Sequence, residues 1–95
     1  MKYTVIIRPE AENDLNEAFS WYEDKRKGLG YDFLLQVEAS LRLIEKNPAI
    51  HPQEYKKIRK HLIKRFPYKL IYIIEKEKII ILSFLHAKRN FKLKK

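Results

Sequence analysis

The chain has 95 residues, no cysteine and a formal net charge of +9. This length suits one domain with a modest core, which we place over residues 1–95. The lack of cysteine excludes a disulfide framework, a thiolate metal site and a thiol nucleophile. No signal-like segment and no membrane-spanning run is visible, so we expect a cytoplasmic protein without a membrane partner.

The positive charge is concentrated in the second half of the chain. Residues 1–50 carry 7 Lys and Arg against 9 Asp and Glu, whereas residues 51–95 carry 14 against 3, a net charge of +11. A positive charge concentrated in this way attracts polyanions or acidic protein surfaces. It therefore indicates the kind of partner and not the fold.

The first half predicts one strand followed by two helices. The β-branched alternation in KYTVIIR indicates the strand, and Pro9 with helically spaced apolar residues predicts a helix to about Arg26. Gly28 and Gly30 separate it from a second helix that ends near Lys46. The apolar stripe of this second helix consists of Phe33, Val37, Leu41 and Ile44. Together the two helices predict a helical hairpin.

The second half predicts three strands after a proline-containing loop. The segments are KKIRKHLIKRF, YKLIYIIE and KIIILSFL, with a tight turn at Glu75 to Lys78 between the last two. The order β-α-α-β-β-β predicts an α+β fold, in which the helical hairpin packs on an antiparallel sheet.

Antiparallel pairing brings the start of one strand beside the end of the next. Lys69, at the start of the third strand, should therefore lie near His86 and Arg89, which follow the fourth. Arg59 or Arg65 would lie close by. Several like charges at one rim are relieved by an anionic ligand or an acidic partner. We therefore predict a target- or nucleic-acid-binding group formed by Arg59, Arg65, Lys69 and Arg89.

The histidines are open to more than one interpretation. His86 could act as a general base, or it could be a strand-end residue that bonds to a backbone group. His51 and His61 have no spacing with carboxylates that suggests metal ligation. We therefore predict neither a metal nor another cofactor.

At these residues the chain resembles a known family. Phe66, Pro67 and Tyr68 lead into Leu70, Ile71 and Tyr72, and the chain closes with the HxxR pattern of His86 and Arg89. With WYEDKRKGLGYDFLLQVEASLRLIEKNP and the element order, nearly the whole chain resembles the RelE/ParE superfamily, the toxins of bacterial type II toxin–antitoxin modules.

The resemblance implies one of two activities. RelE-type members are ribosome-dependent mRNA endonucleases, and on this pattern the catalytic candidates are Lys60, Lys69, His86 and Arg89. ParE-type members share the fold but poison DNA gyrase. Lys69 stands where RelE-type enzymes carry an arginine, and no tyrosine follows Tyr72. Because lysine cannot form the bidentate arginine fork, we favour the ParE type and keep the RelE type as the alternative.

The family also implies a partner. A toxin of this kind requires a cognate antitoxin, which we expect to be acidic and to cover an apolar surface of the first helix. The candidate antitoxin-binding residues are Leu15, Phe19, Trp21 and Tyr22, although core packing is the simpler role for Trp21 and Tyr22. Either a homodimer or a hetero-oligomer with the antitoxin is compatible with the sequence.

A third hypothesis is a non-toxic basic module that binds nucleic acid. Single-strand binders of this type stack bases on exposed aromatic side chains. The strand aromatics Tyr68, Tyr72 and Phe84 are embedded in aliphatic runs, which favours core packing instead. This hypothesis therefore ranks below the toxin.

Overall fold

The predicted order of elements is confirmed in a computed structural model, which describes residues 2–92. The elements are β1 (Thr4–Ile7), α1 (Pro9–Lys25), α2 (Leu29–Lys46), a 3₁₀ turn (Pro48–Ile50), β2 (Arg59–Leu62), β3 (Tyr68–Glu75) and β4 (Lys78–His86). Neither helix in the described part of the chain is long and apolar enough to cross a membrane.

The sheet has the strand order β1-β4-β3-β2. The antiparallel pairing of β2 with β3 and of β3 with β4 is confirmed. β1, however, pairs parallel with β4, so the sheet is mixed rather than wholly antiparallel. These pairings mean that β2 runs in the same direction as β1. Apolar alternation within β1 does not reveal the direction of its neighbour.

The link between the helices depends on one carboxylate and two glycines. Glu23 accepts hydrogen bonds from the backbone N–H groups of Gly28 and Gly30, each at 2.9 Å. Gly28 has a φ of +89°, which L-residues rarely adopt, and a Cβ at Gly30 would lie 2.8 Å from the carbonyl oxygen of Phe19. The two glycines therefore allow the tight turn between α1 and α2. α1 ends at Lys25, one residue earlier than predicted.

The helical hairpin covers one face of the sheet, and the core lies between them. Its largest fully buried side chains are Phe33, Ile44, Leu70, Tyr72, Ile79, Ile81 and Phe84. Tyr72 also donates a hydrogen bond from its hydroxyl to the carbonyl oxygen of Pro48 at 2.7 Å, which fixes the loop after α2. Tyr72 and Phe84 are thus core residues, as the aliphatic runs around them predicted.

β4 contains a β-bulge beside its hydrogen bonds to α1. Ile71 pairs with Ser83 and Tyr72 with Ile81, so Leu82 is the extra residue. Next to the bulge, Asp14 of α1 accepts hydrogen bonds from the Ser83 hydroxyl at 2.6 Å and from the backbone N–H of Phe84 at 3.2 Å. These bonds hold α1 above the end of β4, where the candidate site lies.

Candidate functional site

The start of β3 and the end of β4 are adjacent, as predicted. Tyr68 pairs with His86, and Lys69 pairs with Leu85. Because successive strand residues point to opposite faces, Tyr68 and Leu70 face the helices while Lys69 faces the other side. One end of the sheet therefore presents two different surfaces.

The first surface is a cavity of about 660 Å³ between α1 and the ends of β3 and β4. We call it the helix-side cavity. Trp21, Tyr68, His86 and Arg89 line it, and Asp14 and Glu17 contribute carboxylates from α1. The cavity therefore combines aromatic surface with both signs of charge.

The pKa of the Tyr68 hydroxyl depends on its burial and on the charged groups in this cavity. Burial raises the pKa of Tyr68, and the nearby Arg89 lowers it by less than burial raises it. The carboxylates of Asp14 and Glu17 add further to the rise in the pKa of Tyr68. Tyr68 is therefore a neutral hydrogen-bonding group at neutral pH and not a phenolate.

His86 has the features of a strand-end residue. Its Nδ1 accepts a hydrogen bond from the backbone N–H of Lys88 at 3.2 Å. Its ring packs edge-on against Tyr68, with 5.7 Å between the ring centroids. These contacts orient the imidazole ring at the end of β4.

The second surface is a cavity of about 400 Å³ beside β2, which we call the edge cavity. Its lining residues are His51, Glu54, Lys60, His61, Leu62, Lys69 and Ala87. It shares none of them with the helix-side cavity. Lys60 and Lys69 therefore line a different cavity from His86 and Arg89, although the Lys69 Nζ lies 3.3 Å from the carbonyl oxygen of Ala87, the residue after His86.

The two predicted arginines of the β2 region differ in role. Arg59 lies on the edge strand β2, pairs with Tyr72 of β3 and donates a hydrogen bond to the carbonyl oxygen of His51. It therefore supports the loop before β2 and does not join Arg89. Arg65 lies in the turn between β2 and β3, where it is exposed and has a φ of +71°. It remains a candidate for contact with a target.

The four predicted antitoxin-binding residues differ in how accessible they are to a partner. Tyr22 is 7% exposed and Leu15 packs against the core, so both face inward. Phe19 is half-buried against the ring of Tyr31, with 5.0 Å between the ring centroids. Trp21 is 55% exposed, and the Nζ of Lys25 lies 4.6 Å from its ring centroid. Trp21 is thus the one accessible large aromatic of these four.

Sequence reasoning missed the exposed apolar residues of α2. Tyr31 and Leu35 are each 62% exposed and lie one helical turn apart, and Leu43 is also exposed. The signal was present, because Leu35 and Leu43 fall outside the inward stripe that begins at Phe33. Tyr31 and Leu35 are adjacent on the helix surface, and adjacent exposed apolar side chains form the kind of patch that marks a protein interface.

Metal ligation has no support within residues 2–92. No three side chains of the His, Cys, Asp and Glu types converge there. The basic groups of both cavities are instead suited to bind anions or acidic side chains.

Comparison with known proteins agrees with the architecture. A helical hairpin on a four-stranded sheet with a basic second half is the architecture that the resemblance to the RelE/ParE class led us to expect. The family model described as "ParE toxin of type II toxin-antitoxin system, parDE" matches residues 5–91. The chain therefore belongs to the ParE toxin family.

A solved structure has the same fold. A chain of the chromosomal ParDE TA system from P. aeruginosa superimposes with a TM-score of 0.81 at 14% sequence identity, covering 92% of this chain and 98% of that one. A search of curated protein sequences gave no match.

Proposed function

We propose that this protein is a type II toxin that inhibits DNA gyrase and is neutralised by a cognate acidic antitoxin. Its membership of the ParE toxin family supports this assignment over the other members of the superfamily. The observation that carries the choice of target is that the four candidate catalytic residues line two different cavities, with Lys60 and Lys69 on the sheet face away from the helices and His86 and Arg89 on the helix side.

Ribosome-dependent RNA cleavage needs these groups together. A proton-transfer group and the cations that stabilise the phosphorane charge have to act on the same phosphate, within hydrogen-bond reach of it. Lys60 and Lys69 lie at the edge cavity, whereas His86 and Arg89 lie at the helix-side cavity. This separation favours a toxin that acts by binding.

The alternative is RelE-type mRNA cleavage centred on the helix-side cavity. It is favoured by one observation, namely that Tyr68, His86 and Arg89 line the same cavity and could share a ligand. Tyr68 lies at the start of β3, however, and not after the last strand, where the nuclease type carries its late tyrosine. We therefore rank this activity second.

The antitoxin would cover apolar surface on the helical hairpin. Trp21, Tyr31 and Leu35 expose large side chains there, and burying them against a partner helix would contribute favourable free energy. An acidic segment would in addition be attracted to the basic second half of the toxin. The antitoxin would thus bind mainly through apolar contacts, whereas we expect gyrase to contact the charged side chains of Arg65 and Arg89.

The target can be tested with purified protein. Incubated with gyrase, ATP and supercoiled plasmid, the protein should trap cleaved DNA, which is detected as linear plasmid after detergent and protease treatment. Incubated with translating ribosomes, it should leave mRNA intact. Intact plasmid together with codon-specific mRNA cleavage would instead establish the nuclease activity.

A further inference from the structure

The face of the sheet away from the helical hairpin is apolar at its centre. Ile6 in β1, Ile80 in β4 and Ile73 in β3 each stand between two neighbours that belong to the core or pack against it. Because strand side chains alternate between the two faces, these three point away from the helices. Ile6 pairs with Ile80 and Ile80 pairs with Ile73, so the three form one row across three neighbouring strands, which we call the outer isoleucine row.

Two further isoleucines enlarge this apolar surface. Ile71 lies on the same face of β3 as Ile73, and Ile58 stands directly before β2. Both are buried, yet neither belongs to the core cluster under the helices. Ile73 itself is only half-buried. Strands that are apolar on both sides are typical of a sheet that is covered on both faces, and a contiguous exposed apolar patch marks an interaction surface.

The charged residues beside the row indicate what covers it. Glu75 lies two residues after Ile73 in β3, and Lys78 lies two residues before Ile80 in β4, so both are on the outer face. They are exposed and pair directly with each other across the two strands. One acid and one base therefore stand side by side next to the row, and this pair has no net charge that would select an acidic or a basic partner.

This arrangement is complementary to itself. β4 and β3 are the central strands in the order β1-β4-β3-β2. A two-fold axis between two facing copies, running roughly parallel to these strands, places β3 of one copy against β4 of the other. Glu75 of each copy then lies opposite Lys78 of the partner subunit, and Ile73 lies opposite Ile80 of the partner subunit. The rotation of about 30° between packed sheets moves residues beside the axis very little.

We propose that the outer face of the sheet is a self-association surface, on which two copies of this chain pack through the outer isoleucine row and two Glu75–Lys78 ion pairs. The face of a four-stranded sheet this short measures roughly 20 Å by 20 Å, or about 400 Å² for each copy, which is small for a specific interface. The net charge of +9 on each copy also opposes association. The dimer should therefore be weak, with a dissociation constant on the order of 100 μM.

Sedimentation equilibrium of the isolated full chain tests the proposal. In about 0.3 M sodium chloride, which screens the repulsion between the net charges, the average mass should rise from one chain toward two between roughly 10 μM and 1 mM. Ile80→Thr keeps a β-branched residue but removes apolar surface at the centre of the face, and it should weaken association about tenfold. Leu35→Thr is the control, because Leu35 is exposed on the helical hairpin, and it should change association by less than about twofold.

Charge exchange tests the two-fold arrangement itself. Glu75→Lys and Lys78→Glu each place like charges opposite one another in the dimer, and each should weaken association about tenfold. An equal mixture of the two variants should associate about as tightly as the parent chain, because every ion pair between the copies is then attractive. The repulsion that each substitution creates within its own chain is unchanged by mixing, so the recovery reports only the contact between copies.

A second pair of variants controls for the change in net charge. Glu45→Lys and Lys46→Glu alter the charge equally at exposed positions near the end of α2. Alone or mixed, they should associate within about twofold of the parent chain at this salt concentration. The melting temperature of every variant shows whether it has folded. The inference does not depend on the gyrase proposal, since association is measured without a target.

Several results would overturn the proposal. They are a chain that stays monomeric up to about 1 mM, exchange variants that behave like their α2 controls, and a mixture that associates no better than its components. Association that survives Ile80→Thr but is lost in Leu35→Thr would place the contact on the helical hairpin instead. A chain that is monomeric alone, but whose antitoxin affinity falls with Ile80→Thr, would assign the outer face to the antitoxin.

Discussion

Asp14 of α1 accepts a hydrogen bond of 2.6 Å from the hydroxyl of Ser83, and the same oxygen accepts a second bond from the backbone N–H of Phe84. The two partners lie 69 and 70 residues further along the chain. They stand at the bulge of β4, where the regular ladder is interrupted. The Asp14 carboxylate thus accepts hydrogen bonds at the bulge and holds α1 over β4. Residues of both α1 and β4 line the helix-side cavity.

Asp14→Ala should lower the free energy of unfolding by about 2 kcal/mol, because it leaves the Ser83 hydroxyl and the Phe84 N–H without their acceptor. Urea unfolding followed by circular dichroism measures the change. Asp24→Ala is the matched control, since Asp24 lies on the same helix and is exposed. Equal effects of the two substitutions would show that the bonds to β4 contribute nothing specific.

The helix link makes a second prediction about stability. Gly30→Ala should cost about 1–3 kcal/mol, because the new methyl group would lie 2.8 Å from backbone and ring atoms of Phe19. Gly28→Ala should cost about 1 kcal/mol, since its Cβ meets no atom within 4 Å and only the φ of +89° opposes it. Chemical denaturation of both variants gives the comparison. A Gly28→Ala variant less stable than Gly30→Ala would contradict the close approach of the helices.

The His51–His61 pair should make stability depend on pH. The folded-state pKa of His61 lies below its usual 6.5, so the unfolded chain binds more protons than the folded one near that pH. This contribution is fully present above pH 6.5 and is lost as the pH falls through the lower folded-state pKa of His61. The charged groups around the pair are Arg59, which bonds to the His51 carbonyl, and Lys60, Lys69 and Glu54, which line the same cavity.

Thermal unfolding of the parent chain and of His61→Gln between pH 7.5 and 5.0 measures this effect. The parent should lose more stability over that range than the variant, because glutamine does not titrate. Carboxylates elsewhere titrate equally in both proteins and cancel in the difference. Parallel pH profiles for the two proteins would show that the histidine pair has no such linkage.

The fold could be predicted because local patterns were strong and consistent. The stripe that begins at Phe33, the glycines at the helix link and the apolar runs of β3 and β4 each indicate one element, and their order limits the topology. The direction of β1 beside β4 could not be predicted, since it depends on the path of the loop between residues 47 and 58. That path is set by tertiary bonds such as Tyr72 to Pro48.

The candidate site was predicted less well, for a geometrical reason. Pairing correctly placed Lys69 beside the end of β4, but the side-chain alternation of Tyr68 and Lys69 sends the two residues to different cavities. The contact between His51 and His61 was not visible, because a loop outside any periodic segment brings them together. His51 stands three residues before Glu54, but a single histidine and a single carboxylate at this spacing do not indicate a site.

The hairpin surface makes a prediction about the antitoxin. Trp21→Ala and Leu35→Ala should each weaken toxin–antitoxin binding about tenfold or more if these exposed side chains are anchors, while leaving the melting temperature unchanged. Ile50→Ala is the control, since Ile50 is equally apolar and exposed but lies beyond the helical hairpin. Calorimetric titration with the protein encoded beside this toxin provides the affinities. Losses no larger than that of Ile50→Ala would place the antitoxin on another surface.

The last prediction concerns the exposed cations at the end of the sheet. Arg65→Ala and Arg89→Ala should each reduce growth inhibition and gyrase trapping several-fold without unfolding the protein, because both side chains lie outside the core. His86→Ala should be milder, since Nδ1 of His86 accepts its hydrogen bond from the neighbouring Lys88 backbone and its ring packs against Tyr68. Arg42→Ala, an exposed arginine of α2 paired with Glu38, is the charge-matched control and should leave toxicity unchanged. The opposite ranking, in which a folded His86→Ala protein loses all toxicity while Arg65→Ala and Arg89→Ala retain it, would indicate proton transfer at the helix-side cavity and favour the ribosome-dependent nuclease.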